Sequence, residues 1–151
     1  MRRVVPDPSV LVSALITPTG IPAKLLQEAQ AGGLDLIVSP LLLKELEVVL
    51  KREKFRRYVD LDAVRDFLAL LRRDAHLAAD PEGPPPLRSA DPDDDYLIAL
   101  AHDQSAVLVS GETHLLDLDD RAPILSPADF IAQQATPGPI APRRNVRPAP
   151  R

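Results

Sequence analysis

Four acidic residues, far apart in the chain, each border an apolar run: Asp7, Glu45, Asp94 and Glu112. Asp7 follows Val4-Val5, and Glu45 lies in the leucine-rich stretch 41–50. Asp94 stands in Asp91-Pro92-Asp93-Asp94-Asp95, just ahead of Tyr96-Leu97-Ile98-Ala99-Leu100-Ala101. Glu112 follows Ala106-Val107-Leu108-Val109-Ser110-Gly111. Gathered carboxylates repel one another and resist desolvation, so such a group persists best around a hard divalent cation, Mg²⁺ or Mn²⁺. If the apolar runs are strands and helices of one α/β domain, the acids collect where strands end and helices begin. That is the ligand edge of an open parallel sheet. The pattern points to a metal-dependent hydrolase acting on phosphate esters.

Each acid also has a plainer reading. Asp7-Pro8-Ser9 puts a carboxylate and a hydroxyl two residues apart, which suits a metal ligand and its orienting group, or a helix N-cap. Glu45 borders the stripe Leu42–Leu46–Val49, so it must reach a polar partner or a site. Residues 91–95 could be a solvated cap. A calcium loop is excluded, because its sixth position would be Tyr96 rather than glycine and its twelfth His102 rather than glutamate. Asp94 is the preferred ligand there, since it shares a helical face with Ile98 and Ala101, and Asp91 is a supporting acid. Gly111 would allow close approach or positive φ, and Ser110 can bond a phosphate oxygen or a ligating carboxylate. A plain strand-to-helix turn capped by Thr113 is the alternative. His76, His102 and His114 match no zinc spacing and read as surface or helix-end residues. Neither a Walker loop nor a Gly-x-Gly-x-x-Gly is present.

Lys51, Arg52, Lys54, Arg56 and Arg57, interleaved with Phe55 and Tyr58, form the basic cluster of residues 1–135. A solvated helix end is one reading. Because the cluster follows the helix bearing Glu45, holding a nucleic-acid backbone near a metal is the other.

Composition sets outer bounds. The 151 residues suit one domain, with 45% hydrophobic and 26% charged residues as in ordinary globular proteins. No apolar run approaches the ~20 residues of a membrane span. With no cysteine, disulfides, thiolate zinc sites and cysteine nucleophiles are excluded. The N-terminus lacks the apolar core of a signal peptide, so a cytoplasmic location is expected. The net charge of −4 is uneven: residues 136–151 hold four arginines and no acid, leaving residues 1–135 at net −8. An acidic body argues against strong non-specific binding to nucleic acid.

The elements follow from periodicity and punctuation. Strands are expected at 3–6, 34–38, 75–79, 106–109 and 124–125. Helices are expected from 9, over 23–31 behind Pro22, from Pro40 behind the Ser39 cap, from Asp60 or Asp62, over 93–103, and over 127–133 behind Ser126. Their alternation predicts an α/β fold with a mostly parallel sheet covered on both faces. Residues 1–135 would be the domain, and the proline–arginine segment 136–151 a disordered tail.

Taken in order, the pieces resemble the PIN-domain ribonucleases, specifically the VapC-like toxins of bacterial type II toxin–antitoxin modules. The segments that carry the resemblance are Asp-Pro-Ser-Val-Leu-Val-Ser-Ala-Leu, Ile-Val-Ser-Pro with Glu45-Leu46, Asp-Pro-Asp-Asp-Asp-Tyr-Leu-Ile-Ala-Leu-Ala, Val-Ser-Gly-Glu-Thr-His-Leu-Leu and Ile-Leu-Ser-Pro-Ala-Asp-Phe. The resemblance implies a three-layer α/β/α sandwich, a Mg²⁺ or Mn²⁺ site, RNA cleavage, and a cognate antitoxin as inhibitor. It makes Asp7, Glu45 and Asp94 the first three family acids. Glu112 stands where the family usually has aspartate, and Ser9 and Ser110 match small hydroxyl positions. A second copy of the chain is a further candidate partner; a membrane is not.

Two rival readings remain at this stage. A PIN-fold binding or regulatory module with little catalysis would fit Glu112 and the acidic net charge. A phosphatase with an aspartyl nucleophile would want Asp-x-Asp after the first strand, and Ser9 argues against it.

Overall fold

The computed structural model describes residues 1–135. The segment from Thr136, expected to be a disordered tail, lies outside the described residues. The chain runs β1 (Arg2–Pro6), α1 (Pro8–Ile16), α2 (Ile21–Gln30), β2 (Leu34–Val38), α3 (Pro40–Leu50), α4 (Leu61–Asp74) and β3 (His76–Leu77). It continues through α5 (Asp95–Asp103), β4 (Val107–Val109), α6 (Thr113–Leu116), β5 (Ile124–Leu125) and α7 (Pro127–Ala135). No single helix among the described residues is long and apolar enough to cross a membrane.

The five strands form one parallel sheet in the order β3-β2-β1-β4-β5. The chain first winds outward from β1 through β2 to β3, then crosses back to lay β4 and β5 on the other side of β1. Parallel crossovers are right-handed, so this reversal puts helices on both faces and makes a three-layer α/β/α sandwich. Strands covered on both faces need apolar side chains throughout. Accordingly Val4 and Val5 in β1, and Ile37 and Val38 in β2, are fully buried.

The reversal also decides where a ligand can sit. A crevice opens beyond the carboxyl ends of the two strands flanking the switch, here β1 and β4. Pro6 is in register with Val109, so the next residues, Asp7 and Ser110, leave the sheet side by side. The Asp7 amide donates to the Val109 carbonyl at 2.9 Å and extends the ladder one step into that crevice.

Two local departures from expectation bear on the site. A helix over 93–103 was expected, but a 3₁₀ turn at Pro92–Asp94 precedes α5. The cause is Asp91, whose carboxylate accepts from the Asp93 amide and caps that turn. Asp94 becomes the N-cap of α5 without making a side-chain capping bond, so its carboxylate is left for other partners. The second departure is α6, a single turn that begins behind Glu112 rather than behind a Thr113 cap.

Candidate metal centre

A cleft of about 580 Å³ opens at the switch point, and Asp7, Glu45, Asp91, Asp94 and Glu112 all line it. Each arrives by a different route. Asp7 ends β1 and caps α1, its Oδ1 accepting from the Ser9 amide at 2.9 Å. The capping reading therefore holds, while the other oxygen, Oδ2, accepts from the Ser110 hydroxyl at 2.8 Å. Ser110 is wholly buried and its oxygen in turn accepts from the Glu112 amide at 2.9 Å. One serine behind the cleft thus ties the end of β1 to the turn after β4. Gly111 needs neither positive φ nor close approach; a Cβ there would meet nothing within 4 Å.

Glu45 projects from α3, and its Oε1 accepts a short 2.5 Å hydrogen bond from the Tyr96 hydroxyl on α5. Burial, and after it the Glu45 carboxylate, push the Tyr96 phenol far above its usual range, so it stays a donor. Nothing in the residue pattern singles out Tyr96, because its partner is 51 residues away.

His114 was expected to be a surface or helix-end residue. It does lie on the single turn of α6, yet it is mostly enclosed, with Nε2 2.8 Å from Asp94 Oδ2, a separation that calls for one shared proton. One turn of α6 swings it back over the cleft. Ligand atoms of Asp91, Asp94 and His114 lie within 4.8 Å of one another, a grouping that could hold a metal ion. The Asp94 carboxyl is pushed up to about 6, chiefly by burial and further by the charges of Asp7, Glu45 and Asp91, against the opposing bond from His114. Burial and like charge both disfavour the ionised form, and a divalent cation would offset both: the donors are hard carboxylate oxygens with one imidazole.

Asp95, also unremarked in the sequence, turns inward. It is only 4% exposed, and its Oδ1 accepts from both the amide and the hydroxyl of Ser89, each at 2.8 Å. This fastens the long loop before α5 and so fixes where Asp91 stands.

The basic cluster divides. Arg52 and Lys54 line the cleft. Lys51 pairs with Glu47 at 2.7 Å, Arg56 donates to the Leu50 carbonyl, and Arg57 lies over the Tyr58 ring at 5.5 Å. The 3₁₀ turn Glu53–Phe55 after α3 breaks the helical spacing, so five consecutive-looking cations point in several directions.

Size alone does not mark the site. A second cavity, about 480 Å³, lies beneath β4 and β5 near Leu87, Ile98 and Val107, with His102 and Arg121 as its ionisable lining and no carboxylate.

Fold and cleft together define an α/β domain with carboxylates gathered at its topological switch point, a grouping that could hold a metal ion. The chain belongs to the PIN-domain family, whose model matches residues 3–114. PIN domains are in general nucleases, typically metal-dependent ones. A relative from Methanocaldococcus jannaschii, "Uncharacterized protein MJ1680", is 27% identical over 143 residues, spanning 89% of this chain and 86% of the relative. Among solved structures, PAE2754 from Pyrobaculum aerophilum superposes with a TM-score of 0.61 at 18% identity, covering 89% of this chain and 90% of that one. A PilT N-terminus domain protein, SSO1118 from Sulfolobus solfataricus P2, gives 0.54 at 12% identity, covering 88% and 93%. At such identities these two likenesses speak to the fold.

Proposed function

We propose that the chain is a metal-dependent endoribonuclease that hydrolyses RNA phosphodiester bonds, with Mg²⁺ or Mn²⁺ held by Asp7, Glu45, Asp94 and Glu112. The observation that carries the reading is the convergence of carboxylates from four separate segments in one cleft, with Asp94 pushed up to about 6 by burial and by its acidic neighbours. Asp91 and His114 stand close enough to contribute. Such an ion, when bound, would neutralise charge on the attacked phosphate and make water more acidic.

The chain's own residues do the rest. Ser9 and Ser110 hold both oxygens of Asp7 in place, and Tyr96 does the same for one oxygen of Glu45. His114 is positioned to hold or pass a proton at Asp94 Oδ2. Hydrogen bonds of this kind orient metal ligands and tune their basicity.

In the same reading the protein is the cytoplasmic toxin of a toxin–antitoxin module, restrained by a cognate antitoxin; family membership is the support. The test is cleavage of a labelled single-stranded RNA by purified protein with Mn²⁺, with Mg²⁺ and with chelator. Cleavage that depends on the ion supports the reading. Absence of cleavage with either ion, while RNA is still bound, would leave a binding module instead.

A further inference from the structure

The cavity of about 480 Å³ opens at the amino ends of β4 and β5, the sheet edge opposite the acids. It exists because one crossover is too short to cover the sheet. The path from β4 to β5 lies on the same face as α5, since both parallel crossovers step the same way across the sheet. That path holds only the single turn of α6, Thr113–Leu116, and no residue of α6 lines the cavity. Leu87, Ile98, Val107, Leu108 and Ile124 wall it instead, from the loop ahead of α5, from α5 and from the sheet.

The ionisable groups here are basic. Arg121 and His102 line the cavity and no carboxylate joins them, although residues 1–135 carry net −8. Asp119 and Asp120 precede Arg121 in the chain, yet neither lines the cavity or pairs with the guanidinium. The side chains of Arg121, His102 and Ser105 make no hydrogen bond or ion pair among the described residues. Ser105 supplies a separate observation. It is the one non-glycine residue with a positive φ, +51°, among the described residues. It closes α5, where the Ala106 amide donates to the Ala101 carbonyl at 2.9 Å and glycine would be the unstrained occupant. Strain of this kind gathers at ligand sites, and here it sets a hydroxyl in the cavity lining.

We propose that this cavity binds a small monoanion with an apolar body, an alkyl or aryl carboxylate. The apolar walls take the body, Arg121 pairs with the carboxylate, and the His102 ring and the Ser105 hydroxyl donate to it. A guanidinium matches the two oxygens of a carboxylate. An acidic body repels anions over most of its surface, so a lining without acids is where one can settle. The volume falls within the roughly 300–1,000 Å³ of small-molecule sites. The site is separate from the acid cleft and does not depend on the nuclease reading.

The test is calorimetric titration of the full chain, without metal, with hexanoate, octanoate and decanoate below their micelle concentrations, and with naphthoate. Affinity should rise about fourfold per added methylene until the cavity is full, then level off. The unfolding midpoint should rise in parallel. Octanol should bind several-fold more weakly than octanoate, and Arg121→Gln should erase that preference. Arg88→Gln, at an exposed arginine next to Leu87 that does not line the cavity, should leave it intact. Ala122→Leu adds bulk from a partly buried lining position and should weaken the longest acid most. Tighter binding of naphthoate than of decanoate would assign a flat aromatic body, and the reverse an alkyl chain. No binding by any acid, whether because residues 136–151 or a second copy of the chain takes the cavity, would overturn the proposal. So would an affinity that keeps rising with chain length and ignores Ala122→Leu, the mark of surface adsorption. Equal loss in both arginine variants would also overturn it, as an effect of general charge.

Discussion

Asp7 reaches the cleft from the end of β1 with both oxygens already engaged, by the Ser9 amide and the Ser110 hydroxyl, and it is almost wholly buried. Asp94 reaches it from ahead of α5 with a single side-chain partner, His114, while burial first and then the charges of Asp7, Glu45 and Asp91 raise its carboxyl to about 6. The strand side of the site is thus built in advance, while the helix side is held together against desolvation and repulsion. Oriented donors keep a buried carboxylate charged without help, whereas repulsion is relieved by a proton or a cation. The two halves should respond differently to every perturbation below.

The largest effects are expected from removing charge on either side. Replacing groups that merely orient a ligand costs about 10–100-fold in metal affinity or activity, so losing a ligand itself should exceed ~100-fold. Asp7→Asn and Asp94→Asn should each abolish Mn²⁺-dependent cleavage. They should part company in stability. Asp7→Asn puts an amide where two donors expect a carboxylate, and should lower the unfolding midpoint. Asp94→Asn relieves repulsion and should leave it unchanged or raise it. If Asp94→Asn destabilised the metal-free protein as much as Asp7→Asn, the contrast between the halves would be wrong.

The next effect is one of pH. A carboxyl whose folded pKa is raised stabilises the fold fully below its unfolded value, near 4, and loses that contribution as pH rises through about 6. Metal-free protein should therefore lose this increment of stability between pH 4 and pH 7. A cation that displaces the Asp94 proton should restore it, so the rise in unfolding midpoint on adding Mn²⁺ should be larger at pH 7.5 than at pH 5. Asp94→Asn should flatten that difference. Equal metal-induced shifts at both pH values in the wild type would sink the idea.

These contrasts were only partly legible in the sequence. The parallel sheet and the edge where the acids meet could be read from alternation of strands and helices, because burial on two faces leaves continuous apolar runs; the strand order, and with it the switch point, could not. Asp7, Glu45, Asp94 and Glu112 stood out because each interrupts or borders such a run. Their partners did not. Tyr96 meets Glu45 and His114 meets Asp94 only through folding, across 51 and 20 residues, and periodicity gives a residue its face without giving its neighbour. Asp95 was hidden by Asp94, since in a run of acids one step of the backbone decides which carboxylate turns inward. The division of the basic cluster was hidden by the 3₁₀ turn, which departs from the helical repeat.

A smaller effect separates the orienting groups. Ser110→Ala strands a buried Asp7 oxygen and should cost ~1–3 kcal/mol of stability as well as ~10–100-fold in activity. Tyr96→Phe removes a donor from Glu45, which is less enclosed than Asp7, and should reduce activity by less with little change in stability. Chemical denaturation and cleavage rates on the same samples give both comparisons. A Tyr96→Phe protein that lost as much stability as Ser110→Ala would place the built-in half of the site on α5 rather than on β1.

The smallest effect is expected at Glu112. Its amide is anchored by Ser110, yet its carboxylate makes no hydrogen bond or ion pair among the described residues, and it lines the open side of the cleft. It belongs to the strand side by backbone and to the unsatisfied side by charge. Aspartate there would keep the charge and draw it back by one methylene, about a bond length, whereas metal sites tolerate distances within about 0.2 Å. A carboxylate acting through the outer sphere of an ion absorbs such a change, because nothing else fixes its position. Glu112→Asp should therefore cleave within a few-fold of the wild type or faster, and Glu112→Ala should be slower than both, most visibly at limiting Mn²⁺. A wild type with no cleavage and an active Glu112→Asp would mean that the longer side chain has moved the protein toward binding alone. Equal rates for all three across a Mn²⁺ titration would remove Glu112 from the site.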